Sequence, residues 1–287
     1  MNSAPNEIHV WLMEVDAPPP ALLADWRQCL DADELARADR FYFERDRIIY
    51  TAAHWLLRSA LAETGGLPAS GWRFVAGPHG KPRIDPARGH HGLSFNLSHT
   101  KGLVACAITT GAEIGIDVER MEPRRSGFDV AEHSFSSAEV DLLRGMPPAQ
   151  QMRTFFRLWT LKETLIKTTG EGLQRALDSF SFALDPVAVT FQPDDPDAAA
   201  HWTFWELEPT AHHAMALAIR QDASRPMRLV TTALRIGSDG RVVAERRSRR
   251  AGMRVPGRRR PEPRKGRESG FACLLLPNRG VQHGCGQ

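Results

Sequence analysis

Residues 113–119 read Glu113-Ile-Gly-Ile-Asp-Val-Glu119, and residues 155–167 read Phe155-Phe-Arg-Leu-Trp-Thr-Leu-Lys-Glu-Thr-Leu-Ile-Lys167. The first stretch alternates. Side chains along a strand point to opposite faces in turn, so Ile114, Ile116 and Val118 face a core while Asp117 and Glu119 share the other face. The second stretch has the apolar spacing of a helix, predicted over 148–169 and stopping near Gly170. It is apolar nearly all round, which marks a helix buried on most sides. Trp159, Glu163 and Lys167 fall at i, i+4 and i+8 and therefore line one stripe of it. A strand bearing carboxylates followed by a helix apolar nearly all round predicts a mixed α and β body.

The same pairing of patterns occurs earlier in the chain. Residues 8–15 alternate weakly and predict a strand. Asp31 and Glu34 are spaced as a capping box for a short helix through Arg40. Residues 44–64 carry Ile48, Tyr50, Ala52, Trp55, Leu56, Leu57 and Leu61 at helical spacing and stop at Gly65-Gly66. Strands follow at 72–75, 93–97, 103–109 and 113–119, with the turn GPHGKP among them. After the second helix, strands are predicted at 179–184, 202–207, 213–219 and 229–236. Helix then strands, twice, predicts an α+β fold of two similar lobes. Each lobe would be a long helix on a small, mainly antiparallel sheet, with the active site in the cleft between them. The lobes are expected at 1–110 and 111–240.

Of the 287 residues, 42% are hydrophobic and 25% charged, ordinary globular values that exclude a wholly disordered chain. No run of about 18 apolar residues exists, so no membrane-spanning helix is expected. The stretch MNSAPNEIHVWLMEV lacks a basic region followed by a long apolar one, so no secretory signal is expected. Cys29, Cys106, Cys273 and Cys285 form no CxxC pair, which fits a reducing cytoplasm and argues against a cysteine zinc site. The net charge of +3 conceals two unlike parts. Residues 241–287 hold 13 Lys/Arg against 3 Asp/Glu, and residues 1–240 hold 24 against 31. The Arg-, Gly- and Pro-rich end reads as a disordered, solvated tail, with a nucleic-acid or acidic-partner arm as the alternative. Truncation near residue 240 is accordingly expected to preserve function.

Two carboxylates on one strand face repel unless a cation stands between them. A hard divalent ion such as Mg²⁺ takes oxygen ligands and shares its coordination with water and phosphate oxygens. The plainer alternative is a solvated strand face with Arg120 as counter-charge. Glu163 and Lys167 have a plain reading too, a surface ion pair. Yet both are costly in so apolar a helix unless they face a cleft or a partner. Phe95-Asn-Leu-Ser-His-Thr100 offers a hydroxyl and an imidazole, Ser98 and His99, and Gly80-Lys81-Pro82 offers a cation on a turn. A lone histidine is as readily structural. His90-His91 and His212-His213 lack partners at metal-ligand spacing and read as structural or solvent-facing.

In order and interval, the blocks Gly80-Lys81-Pro82, FNLSHT, GIDVER and FFRLWTLKETLIKTTGEGL resemble the signature of the Sfp-type 4′-phosphopantetheinyl transferases. The resemblance covers roughly residues 8–220 and leaves out the basic tail. It implies a cytoplasmic, monomeric enzyme built as a pseudo-dimer of two similar lobes. Such an enzyme moves the 4′-phosphopantetheine arm of coenzyme A to a serine of an acyl or peptidyl carrier protein and releases adenosine 3′,5′-bisphosphate. It implies that Asp117, Glu119 and Glu163 hold Mg²⁺ and that Glu163 and Lys167 are catalytic. It further places Lys81, Ser98 and His99 against coenzyme A, with Arg37 and Arg40 near its 3′-phosphate. At one position where a second basic residue is expected, the chain has Glu34. Carrier proteins present an acidic helix, so Arg124, Arg125 and Phe128 are expected contacts for them. The alternatives are another metal-dependent phosphotransferase or nuclease using the same carboxylates, or a non-enzymatic module whose tail holds nucleic acid. No P-loop, GxGxxG or aromatic-rich RNA motif supports either.

Overall fold

A computed structural model describes residues 6–89, 92–122, 127–221, 226–250 and 274–275. The first half runs β1 (Glu7–Glu14), α1 (Pro20–Gln28), α2 (Ala32–Asp39), α3 (Glu44–Gly65), β2 (Phe74–Ala76), β3 (Pro82–Ile84), β4 (Leu93–Thr100) and β5 (Leu103–Thr110). The second runs β6 (Glu113–Arg120), α4 (Gly127–Ser134), α5 (Ser137–Gly145), α6 (Pro148–Thr169), β7 (Phe180–Leu184), β8 (Val187–Phe191), α7 (Pro196–Ala200), β9 (Trp202–Leu207) and β10 (His213–Arg220). β11 (Arg228–Ile236), β12 (Val242–Arg250) and β13 (Leu274–Leu275) complete it. The α+β reading is right.

One sheet has the strand order β13-β12-β11-β1-β5-β4 and a second has β6-β10-β9. The sheets pack face to face, and strand alternation explains how. Ile8, Val10 and Leu12 of β1 and Leu103, Ala105 and Ala107 of β5 meet Ile114, Ile116 and Val118 of β6 and Met215, Leu217 and Ile219 of β10. The opposite side of the first sheet, with Trp11, Met13, Val104, Cys106 and Ile108, packs on Leu56, Leu57, Ala60 and Leu61 of α3. Ala214 and Ala216 of β10 pack on Leu158, Leu161 and Leu165 of α6. The order of layers is therefore α3, sheet, sheet, α6. Burying one such leucine contributes roughly 1.5–3 kcal/mol.

α6 stops where expected, at Gly170, whose φ of 75° is the left-handed cap that glycine adopts freely. The capping box of Asp31 and Glu34 also forms. Where α6 crosses β6, Gly115 leaves no room. A Cβ there would lie 2.3 Å from Thr168 Oγ1 and 2.4 Å from the Thr164 carbonyl oxygen. The absence of a side chain at one position is what lets the helix lie directly on the strand.

Three expectations need correction. β11, assigned with residues 111–240 to the second lobe, instead joins the first sheet, parallel to β1 from Glu7↔Arg228 to Met13↔Leu234. Residues 242–250, taken as the start of a disordered tail, form β12, antiparallel to β11 from Ile236↔Val242 to Arg228↔Arg250. Val242 and Ala244 add to the core under α3. An outer strand needs apolar side chains on only part of one face, so Arg246 and Arg247 stay exposed without opposing it. Truncation near residue 240 would remove this strand. Beyond Arg250, the tail reading falls outside the described residues apart from Leu274–Leu275, which pair with Val243 and Ala244. Finally, α1, α4, α5 and α7 are helices that the periodicity does not predict, although Ser136 and Glu139 form a capping box for α5.

Candidate functional site

β4 and β6 are the neighbouring outer strands of the two sheets, and no backbone ladder joins them. Side chains of β4 do so instead. The Ile116 N–H donates to Asn96 Oδ1 at 2.8 Å, the Val118 N–H to Ser98 Oγ at 3.2 Å and the Arg120 N–H to Thr100 Oγ1 at 3.2 Å. The candidate site lies along this seam.

At its centre is Asp117, 4% exposed, on the face of β6 that looks toward α6. Ser98 Oγ donates to its Oδ1 at 3.0 Å. Lys167 Nζ reaches the same oxygen at 2.6 Å and Ser98 Oγ at 3.1 Å. The other oxygen, Oδ2, is buried with no hydrogen-bond partner. The solvated-face alternative for Asp117 is thus excluded, and Arg120 pairs with Glu122 at 2.8 Å.

Trp159, Glu163 and Lys167 do line one stripe of α6, half-buried where most of the helix is buried. Lys167 pairs with Asp117. Burial raises the Glu163 carboxyl above its ordinary pKa, and the Asp117 charge raises it further; Lys167 opposes the rise and Glu119 adds to it. Glu119, half-buried two residues beyond Asp117, is thus part of the same charge cluster. His99 lies exposed beside the seam, its pKa lowered first by desolvation and then by the Lys167 ammonium.

Lys81 is placed differently. Its Nζ donates to the Ile114 carbonyl of β6 and the Thr168 carbonyl of α6, each at 2.9 Å. Arg37 and Arg40 stay outside the cluster, exposed on α2 and its C-cap, with Arg37 over the Tyr50 ring at 5.8 Å. Glu34, the acidic residue among them, is structural. It is buried, accepts from Arg58 Nε at 2.8 Å and lies 2.8 Å from His54 Nδ1. Phe128 packs partly buried against the core around α6. Arg124 and Arg125 lie outside the described residues, as do His90 and His91. His213 is structural as expected, within hydrogen-bonding distance of Thr210 and of the Lys101 carbonyl.

Sequence reasoning missed Asn96 and Thr100. Polar residues at every second position of a strand that carries Phe95 and Leu97 between them were the available signal. It also passed over Lys162, the residue before Glu163. Lys162 is 0% exposed, and its Nζ meets Glu139 Oε2 and the carbonyls of Leu177 and Phe180, each at 2.7 Å. This buried pair anchors the far side of α6.

A buried carboxylate with one oxygen unpartnered and a second carboxylate desolvated next to it suit a hard cation, and such a cation together with the lysine between sheet and helix suits a phosphate-bearing, anionic reactant. Such a site on a layered α+β scaffold is suited to group transfer from a phosphate compound. Two family models match the chain. One is described as the 4′-phosphopantetheinyl transferase superfamily, over residues 113–218, and the other as 4′-phosphopantetheinyl transferase, N-terminal, over residues 17–111. The 4′-phosphopantetheinyl transferase HetI of Nostoc sp. is 36% identical over 214 residues, covering 75% of this chain and 88% of HetI. The 4′-phosphopantetheinyl transferase Sfp of Bacillus subtilis is 30% identical over 181 residues, 63% of this chain and 78% of Sfp. The human L-aminoadipate-semialdehyde dehydrogenase-phosphopantetheinyl transferase is 27% identical over 222 residues, 70% and 72% of the respective chains. The chain belongs to the 4′-phosphopantetheinyl transferase family and is an enzyme of that class. Among the described residues, no helix is long and apolar enough to cross a membrane.

Proposed function

We propose that this enzyme transfers the 4′-phosphopantetheine arm of coenzyme A to a serine hydroxyl of an apo acyl or peptidyl carrier protein, depends on Mg²⁺, and releases adenosine 3′,5′-bisphosphate. The observation that carries the reading is the cluster of Lys167, Ser98 and Asp117 at the seam, with Glu163 desolvated beside it. The reading takes the α3 half and the α6 half as the similar lobes of a pseudo-dimer working as a cytoplasmic monomer.

The residues fit a hard divalent cation. Asp117 Oδ2 is buried without a partner, and Glu119 and Glu163 share its electrostatic field through carboxylate oxygens. Among the described residues, no three such side chains already stand together at ligand spacing, so binding involves side-chain adjustment. Asp117, Glu119 and Glu163 would hold the ion, which would supply positive charge to the pyrophosphate oxygens.

The protein's own groups do the rest. Ser98, His99 and Lys167 bind and orient the pyrophosphate, and Arg37 and Arg40 are the proposed contacts of the 3′-phosphate. Lys81 is a further proposed contact of coenzyme A, its Nζ keeping a third N–H beyond the two that go to carbonyls. Glu163 takes the proton from the carrier serine Oγ, directly or through a water. The serine oxygen bonds to the phosphorus that bears the pantetheine arm. The bond from that phosphorus to the bisphosphate oxygen breaks, and the electron pair stays on the departing oxygen, which Lys167 stabilises. The carrier is proposed to dock on the segment holding Arg124, Arg125 and Phe128.

The test is incubation with coenzyme A, Mg²⁺ and a panel of apo-carriers. A mass gain of one phosphopantetheine arm on the carrier serine is expected. No gain on any carrier, with folded enzyme, refutes the reading.

A further inference from the structure

α2 buries little of itself. Its buried side chains are Glu34 and Ala38, one turn apart, while Arg37 and the C-cap residue Arg40 are exposed. A short helix that buries an alanine and a carboxylate gains little from apolar contact, so polar bonds must seat it. Arg58 of α3, 0% exposed, supplies them. Its Nε donates to Glu34 Oε2 and its Nη2 to Asp31 Oδ2, each at 2.8 Å. Its Nη1 donates to the carbonyls of Ala69 at 3.2 Å and Trp72 at 3.0 Å, in the link from α3 to β2. The guanidinium also lies over the Phe74 ring at 5.0 Å. One planar fork thus grips both members of the α2 capping box and is itself fixed by the carbonyls behind it.

The grip also deals with the Glu34 charge. Glu34 stands at i to Arg37 at i+3, where a free carboxylate would draw the guanidinium to itself and repel an approaching phosphate. Both of its oxygens are engaged elsewhere. Oε2 accepts from Arg58 and from the Asp31 N–H at 2.9 Å, and Oε1 lies 2.8 Å from His54 Nδ1. Arg37 stands instead over the Tyr50 ring, at 5.8 Å.

We infer that Arg58 is a positioning residue on which discrimination between coenzyme A and 3′-dephospho-coenzyme A depends. Buried itself, it acts through α2: it seats the capping box, withdraws the Glu34 charge and leaves Arg37 and Arg40 to the 3′-phosphate. The inference rests on the proposed reading of those two arginines as contacts of that phosphate.

The test is Arg58→Lys, which keeps a positive charge and loses the fork. Titration calorimetry on the full chain with Mg²⁺ gives Kd for coenzyme A and for 3′-dephospho-coenzyme A. Coenzyme A binding is expected to weaken about 10-fold, as for the loss of one charge-assisted hydrogen bond, while Kd for the dephospho compound changes less than about twofold. In an Arg37→Ala/Arg40→Ala background, Arg58→Lys should add less than about twofold, because the groups it positions are gone. The same change for both compounds, or none, overturns the inference, and so does an undiminished effect in that background. If Arg37→Ala/Arg40→Ala alone leaves both Kd values at those of the wild type, the reading of these arginines as phosphate contacts fails first and the inference falls with it. If Arg58→Lys does not fold, Asp31→Asn, which keeps a helix-capping side chain and takes one carboxylate from the fork, is read in the same titrations. A loss confined to coenzyme A supports the inference, and an equal loss for both compounds, or none, overturns it.

Discussion

Gly115→Ala puts one methyl group into the contact between β6 and α6. Its Cβ would meet Thr168 Oγ1 at 2.3 Å, the Thr164 carbonyl oxygen at 2.4 Å and the Thr168 nitrogen at 2.7 Å. Ordinary contact starts near 3.4 Å, so the helix must lift by about 1 Å. Two of the three obstructing atoms are backbone, and no rotamer change relieves them. Overpacking of this kind costs about 1–3 kcal/mol, which lowers Tm by roughly 2–12 °C for a domain this size. The lift carries Lys167 and Glu163 with it. The Lys167–Asp117 contact of 2.6 Å would open beyond hydrogen-bonding reach, and misplacement by about 1 Å removes on the order of 100-fold in rate. Thermal unfolding and steady-state transfer measure the two effects. Gly111→Ala is the control: its φ is 74° with nothing within 4 Å, so it pays only a backbone penalty of about 1–2 kcal/mol and keeps wild-type kcat. A Gly115→Ala protein with wild-type kcat and melting temperature would refute the argument that this contact sets the site.

Glu163→Gln should fold and show no transfer. Burial and Asp117 raise the Glu163 pKa, so the folded chain holds this proton above the range where the unfolded chain releases it; wild-type stability therefore drops as pH rises through that window, and in the variant this drop disappears. Urea midpoints in chelator from acid to neutral pH check the sign. Glu139→Gln leaves the Lys162 ammonium buried without its counter-charge and should cost about 3–5 kcal/mol, read as a shift of the urea midpoint. A chain ending at residue 250 should retain activity, whereas one ending at residue 240 loses β12, uncovers β11 and should melt earlier or aggregate, as light scattering during the melt would show.

What was legible in the sequence was periodicity. The stripe of Trp159, Glu163 and Lys167 was read correctly because helical spacing fixes which residues share a face, and that face proved to be the half-buried one. Ile114, Ile116 and Val118 were placed in a core for the same reason. Periodicity does not name partners. The pair first suggested for Lys167 was Glu163, its neighbour one turn away, whereas the structure gives it Asp117. Nor does alternation say which sheet a strand joins, so β11 was assigned to the half it follows rather than to β1, which it pairs in parallel. Composition misled at 241–250, where arginines outnumber apolar residues. A strand near the edge of a sheet buries little, and Val242 and Ala244 suffice to seat it.

The seam itself explains why the site is where it is. β6 is fully paired on one side, to β10, and on the other its N–H groups at 116, 118 and 120 need acceptors. A backbone ladder to β4 would meet that need, but it would merge the two sheets into one and hold the strands about 4.8 Å apart. With side chains as the acceptors, the strands stand further apart, the sheets stay free to pack face to face, and hydroxyls occupy the gap. Ser98 then does three things with one oxygen: it accepts from the Val118 N–H and from Lys167 Nζ, and it donates to Asp117. Replacing it by alanine would leave a buried N–H unsatisfied and free a second pair of electrons on a carboxylate that already has one oxygen unpartnered. The arrangement that keeps the sheets apart is therefore the one that aims Asp117 at Lys167, and fold and site share the same hydrogen bonds.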